Sequence, residues 1–273
     1  MASIVSRESY ADASDRLVAD TGTASAQQLA TVGDEVLSVA GLLRAEPRLR
    51  RALTDPSRQP TDRANLIRGL LAGKLSQATV DTMTTLVGGR WRVPSELLDA
   101  TERLGVDTVL RSAEKAGTLA DVEDELFRFA QIVAGTPELA VTLSDPGAPT
   151  ARRVKLVEDL LRGKAQPATL RLVEVALEEF GGRSFEFSLA RLVELTAAKR
   201  DRAVAYVTVA KPLDDAEEQR LTAKLSDLYG RQVSLKVEVD PEVIGGVSVR
   251  VGSDLYDGTI LRRLTEAKQA FAR

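Results

Sequence analysis

The sequence predicts a mainly α-helical protein with a small α+β domain at its C-terminal end: two tandem helical bundles, then strand, helix, strand, strand and helix. Three observations predict this. Residues 34 to 79 align without gaps to residues 124 to 169 at an offset of ninety, with sixteen of the 46 positions identical, which marks a duplicated unit. Within both copies apolar residues recur every three or four positions, as on one face of a helix. From about Ala203 the period falls to two, the alternation of a strand with one buried face. The expected domains are therefore 1–105, 106–202 and 203–273.

In chain order, the opening stretch "MASIVSRESYADASDRL" carries acidic Glu8 and Asp12 and has no apolar core of signal-peptide length, so export is not expected. The repeat matches Pro47 with Pro137, Leu53 with Leu143, Asp55-Pro56 with Asp145-Pro146, and Gly73-Lys74 with Gly163-Lys164. Leu119, Val122, Leu126, Phe129 and Val133 form one helical stripe, and Val154, Val157, Leu160 and Leu161 another. "TDPSRQPTD" and "SDPGAPTAR" are proline-rich breaks, after which Thr61 or Thr150 is expected to cap the next helix. "LLAGK" and "LLRGK" resemble phosphate loops only superficially. Gly69 and Gly73 stand one residue too close, and Leu75 occupies the place of the metal-binding hydroxyl. A glycine ending each helix in a left-handed turn accounts for them better. "GGR" at 88–90 returns at 181–183 after a three-residue shift.

The third domain opens on "AVAYVTV". Asp214 or Asp215 is placed to cap a helix with the stripe Leu221, Leu225 and Leu228, ended by Gly230. Two strands follow, one with Val233, Leu235, Val237 and Val239 on a single face, the other with Val247, Val249 and Val251. Gly245-Gly246 precedes a strand and lacks dinucleotide-loop spacing, so it reads as a strand entrance needing a bulge or close backbone approach. Asp257-Gly258 predicts a turn, and Ile260, Leu264, Ala267 and Phe271 a terminal helix.

Composition restricts function sharply. Histidine and cysteine are both absent, which removes the commonest general base, the commonest metal ligands and every thiolate nucleophile. No metal or other cofactor is expected. With 37 basic against 40 acidic residues there is no field to draw the chain to nucleic acid. No uncharged apolar run approaches the ~18 residues that span a bilayer, so any membrane association must come through a partner. The best enzymatic candidate is Ser112 with Lys115, the S-x-x-K spacing of certain acyl-transfer enzymes, but their companion motifs S-D-N and K-T-G are missing. A polar helix face at the junction of the repeats is the better reading. The adjacent acids Glu178-Glu179 and Glu217-Glu218 read as solvated faces.

"DPEVIGGVSVRVGSDLYDGTILRRL", following a strand and a helix, resembles the delta subunit of F-type ATP synthase, the oligomycin-sensitivity-conferring protein family. The matching residues are Asp240, Ile244, Gly245, Gly246, Val247, Val249, Val251, Gly252, Asp257, Gly258 and Leu264, with Thr259 in place of the family's serine. "GGRWRVPSELL" and "GGRSFEFSLARL" are similar to the family's Asn-Gly-Arg segment, with Gly88 and Gly181 replacing Asn. The usual family member has one bundle where this chain has two. The resemblance implies a non-catalytic stator subunit at the cytoplasmic face of the cell membrane, held there by its complex. It also implies two partners: the N-terminal helix of an alpha subunit, and the end of the peripheral stalk formed by the b subunit. The implied alpha contacts are Tyr10 and Ala13 on the first helix, with Thr84 and Gly88 as the opposite wall on the fifth. This choice assigns the grip to the first bundle. The implied stalk contacts are Val247, Val249, Val251, Leu255, Ile260 and Leu264. The competing reading is a helical adaptor unrelated to ATP synthase.

Overall fold

Proline and glycine set the same helix boundaries in both copies of the repeat. The computed structural model describes residues 4–201, 204–229, 233–240, 246–251 and 254–257. Its first six helices are α1 (Ile4–Asp20), α2 (Ala26–Ala45), α3 (Pro47–Thr54), α4 (Pro60–Leu71), α5 (Gln77–Gly88) and α6 (Pro94–Lys115). The next five are α7 (Leu119–Gly135), α8 (Pro137–Ser144), α9 (Thr150–Leu161), α10 (Pro167–Leu177) and α11 (Phe185–Asp201). Pro47 and Pro137 each open a helix, where the missing N–H would have had no partner. Gly73 and Gly163 follow α4 and α9 at φ +74 and +68, the left-handed turn expected of them. Thr61 and Thr150 do not cap. Both lie inside the first turn, with no side-chain cap, and the Thr150 hydroxyl instead accepts from Arg153 Nη2 at 3.2 Å.

A half-buried carboxylate is repeated along with the helices. Glu35 accepts from the Ser76 backbone N–H and from the Thr79 hydroxyl, at the start of α5. Glu125 accepts from the Gln166 N–H at 2.8 Å and from the Thr169 hydroxyl at 2.6 Å, at the start of α10. Each ties its bundle's second helix to the N-terminus of its fifth, where backbone donors are otherwise unpaired and favour negative charge.

The bundles have separate cores joined through two helices. Leu17, Val36, Leu43, Ile67, Met83 and Leu97 belong to the first core, and Leu126, Phe129, Leu143, Val157, Leu172 and Leu192 to the second. Helix α6 serves both, with Leu97, Leu98 and Leu104 in the first and Val106, Val109, Leu110 and Ala113 in the second. The expected boundary between 105 and 106 thus falls inside one continuous helix. Helix α2 also reaches across, since its Leu37 packs in the second core. Leu160, placed in an apolar stripe by its spacing, is exposed.

The chain forms two compact units, Met1–Thr196 and Ala197–Arg273. In the second, β1 (Val204–Val209), α12 (Asp215–Tyr229), β2 (Ser234–Val239), β3 (Val247–Val251) and β4 (Asp254–Asp257) build a sheet of order β2-β1-β3-β4. Strands β1 and β2 are parallel, with α12 as the crossover, and β3 pairs antiparallel with both β1 and β4. Strand β4 was not foreseen from the alternation. Asp214 and Glu217 cap α12 reciprocally, each side chain accepting from the other's N–H, so Glu217 is not simply a solvated acid. The helix buries Leu225, with Leu221 and Tyr229 packed beside it. Leu228, expected in this stripe, is 63% exposed because the packed face continues at every fourth residue. Gly246 enters β3 at φ +86, which explains a glycine there. The expected terminal helix and the endings at Gly230 and Gly258 lie outside the described residues.

Candidate functional site

The first candidate is the seam between α1 and α5, and its register is fixed by two contacts. Near one end the Arg90 N–H donates to Ser9 Oγ at 2.9 Å, and a Cβ on Gly89 would lie 2.5 Å from the Ser9 Cβ, so the backbone there admits only glycine. At the other, Arg16 pairs with Asp81 at 3.5 Å. The helices therefore run antiparallel. Thr84 and Gly88 are half-buried on this seam. The Thr84 hydroxyl donates to the Val80 carbonyl at 2.7 Å, the Gly88 carbonyl accepts from Arg63 Nη2 at 3.3 Å, and a Cβ on Gly88 would meet nothing within 4 Å.

Tyr10 and Ala13 are not brought to the surface of that seam. Ala13 is fully buried in the first core. Tyr10 packs against that core, its hydroxyl donates to Asp107 on α6, and the Arg103 guanidinium lies 5.8 Å from its ring centroid. Burial and then the Asp107 charge push the phenol pKa up, with Arg103 opposing them.

The second bundle has the corresponding seam, formed by the C-terminal half of α6 with α10. There the Gly181 N–H donates to Glu102 at 2.7 Å, as the Arg90 N–H does to Ser9. Helix α2 touches both sides of this seam. Cβ atoms placed on Gly33 and Gly105 would lie 2.9 Å from Val109 Cγ2 and 2.6 Å from Leu37 Cγ, so the α2 and α6 backbones touch across two glycines. Along α10, Arg171 pairs with Asp34 at 2.8 Å and Glu178 with Arg44 at 3.4 Å. Arg44 also binds buried Glu102 at 2.6 Å. Burial works against the charge of Arg171, but Glu178, Asp34 and Glu174 together hold its pKa above the ordinary value. Glu178, taken from sequence as solvated, is a member of this network. Its adjacency to Glu179 concealed that, and only the ninety-residue offset to Gly88 could have flagged the position.

Ser112 is buried and donates to the Val109 carbonyl at 2.7 Å, one turn back on its own helix, while Lys115 is exposed. The hydroxyl proton is committed to that carbonyl and Lys115 is turned to solvent, so the acyl-transfer reading finds no geometry between them. Among the described residues no group of three or more acidic side chains could hold a metal ion, and no helix is long and apolar enough to cross a membrane.

Of the expected stalk contacts, Val249 is buried and Val247 half-buried in the third core. Val251 lies opposite Ala205 and Leu255 opposite Arg250 in the strand register. Ile260 and Leu264 lie outside the described residues.

A family model described as "ATP synthase delta (OSCP) subunit" matches residues 107–271, which take in the second bundle and the C-terminal unit. The ATP synthase subunit delta of Salinispora arenicola is 60% identical over 273 residues and covers 100% of both chains. That of Streptomyces griseus subsp. griseus is 43% identical over 267 residues, covering 98% of each. A chain in the Toxoplasma gondii mitochondrial ATP synthase hexamer is similar at 18% identity and a TM-score of 0.34, over 62% of this chain and 95% of that one, a likeness too slight to bear on the fold. With a family model spanning more than half of it and full-length relatives on both bundles, the chain belongs to the ATP synthase delta (OSCP) subunit family.

Proposed function

We propose that this chain is a non-catalytic stator subunit of a proton-translocating F-type ATP synthase, peripheral to the membrane on its cytoplasmic face. It joins the catalytic head to the peripheral stalk. The full-length likeness to ATP synthase delta subunits carries this reading. The α1–α5 seam supports it, since a Cβ on Gly88 would meet nothing within 4 Å there and the groove can take a further helix, as does the absence of histidine and cysteine from the chain. The first-bundle seam, with Thr84 and Gly88 on its wall, takes the N-terminal helix of an alpha subunit, and Tyr10 and Ala13 set the shape of α1 from beneath. The C-terminal sheet, through Val247, Val249, Val251, Leu255, Ile260 and Leu264, meets the end of the b subunit.

A second reading places the alpha helix on the second bundle, because the family match begins at residue 107. Against it stands α2, which already lies in that seam.

The test is removal of the chain from its complex. Proton-driven ATP synthesis is lost while the detached head still hydrolyses ATP, and the purified chain hydrolyses none. Hydrolysis by the pure chain that survives repurification and depends on one of its residues defeats the proposal.

A further inference from the structure

We infer that the helix-accepting seam of the second bundle is already filled within the same chain by α2, which leaves the α1–α5 seam as the one open to a partner helix. This rests on the reading that a partner helix is bound in such a seam. The two bundles can be aligned residue by residue from their sequence offsets and matching contacts. The fifth helices correspond at an offset of ninety, so Asp81, Thr84 and Gly88 match Arg171, Glu174 and Glu178. The first helices correspond at ninety-three, which places Ser9 on Glu102, the two residues that bind the turn after the fifth helix. The same offset lays Ala13 and Leu17 on Val106 and Leu110, all four buried in their bundle's core.

On this correspondence Asp12 and Arg16 stand where Gly105 and Val109 stand. Those two are the α6 residues against which α2 presses with Leu37 and Gly33. Glu178, at the place of Gly88, is the residue that receives Arg44 of α2. Ser9, Asp12, Arg16, Asp81 and Gly88 thus all match residues that touch α2, and the counterpart of Thr84, Glu174, pairs with Arg171 beside them. Glycine on both helices brings the backbones together, and opposite charges close both ends, so displacing α2 would strand buried Glu102 without its arginine. In the first copy the same positions carry Asp12, Arg16 and Asp81, all at least partly open to solvent. A partner helix there meets a charged rim around the small residues Thr84 and Gly88.

The chain has no cysteine, so two can be placed without background. Asp34→Cys with Arg171→Cys, joined by a short bismaleimide, locks α2 onto α10 in the full-length protein. The probe is a synthetic peptide of the N-terminal helix of the alpha subunit, titrated by calorimetry. The expected result is near-complete crosslinking of the native chain, one peptide per chain, and affinities of locked and unlocked protein within about twofold. A tenfold loss of affinity on locking, or two peptides per unlocked chain, overturns the inference. If the unlocked chain takes no peptide, the alpha-subunit reading fails and the crosslink decides alone: a native yield no higher than in denaturant overturns α2 as the occupant.

Discussion

Single side chains in this protein matter mostly as helix termini. Glu125 holds the start of α10 with two short bonds, and its carboxylate is the charged partner in each. Hydrogen bonds to a charged acceptor contribute roughly 1.5–3 kcal/mol, and the freed N–H regains some water, so Glu125→Ala is expected to cost about 2 kcal/mol in urea unfolding. Glu35→Ala should cost a similar amount, as the same device in the first copy. Asp55 shows a pH-dependent version. The Ser57 hydroxyl and then its N–H, both donating to this carboxylate, hold its pKa below the ordinary 3.8. Because the folded value is the lower one, the stabilisation is complete above pH 3.8 and disappears as pH falls through the folded value. Asp55→Asn should therefore lower the melting temperature at pH 7, and the gap from the parent should close in acid. A gap that persists at the lowest pH would place the effect elsewhere than in the charge.

At the scale of elements, the glycines on helices divide by what surrounds them. A Cβ on Gly105 would meet Leu37 Cγ at 2.6 Å and the Leu37 backbone nitrogen at 3.3 Å, so neither a rotamer change nor a small shift removes both clashes. Gly105→Ala should destabilise by about 1–3 kcal/mol through overpacking. Gly69, in the last turn of α4, has nothing within 4 Å of the same atom. Gly69→Ala should stabilise by about 0.5–1 kcal/mol, the helix-propensity gain without a packing penalty. Guanidinium titrations of both variants separate the cases by sign. The same contrast explains how α6 crosses a repeat junction unbroken: its one glycine is pressed by α2, and close packing holds it helical where propensity would weaken it.

For the molecule as a whole, α6 and α2 each contribute to both cores, so residues 1–196 should unfold in one cooperative calorimetric transition despite the sequence duplication. Two resolved transitions within that unit would contradict the shared helix. The C-terminal unit has its own core, with Val249 4% exposed within it. Val249→Asp buries an unpaired charge there and should cost roughly 3 kcal/mol or more. Hydrogen exchange should then rise throughout β1 to β4 and stay unchanged in α2 and α10.

The duplication, the helix endings at Gly73 and Gly163, the change of period near Ala203 and the capping of α12 were all determined by the sequence alone. These depend on interactions within a few residues, or on identity at a fixed offset, and both are written in the order of the chain. The tertiary structure decided the rest. Apolar spacing could not tell that α2 has a second partner in α10, that Glu178 meets Arg44, or that Tyr10 turns toward Asp107, because each contact joins residues nearly a hundred positions apart or more. Nor did alternation reveal β4, whose four residues are too few to show a period. Helical periodicity states which face is apolar. What that face meets depends on how closely two backbones can approach, and at Gly33 and Gly105 that is settled by atoms the side chains lack.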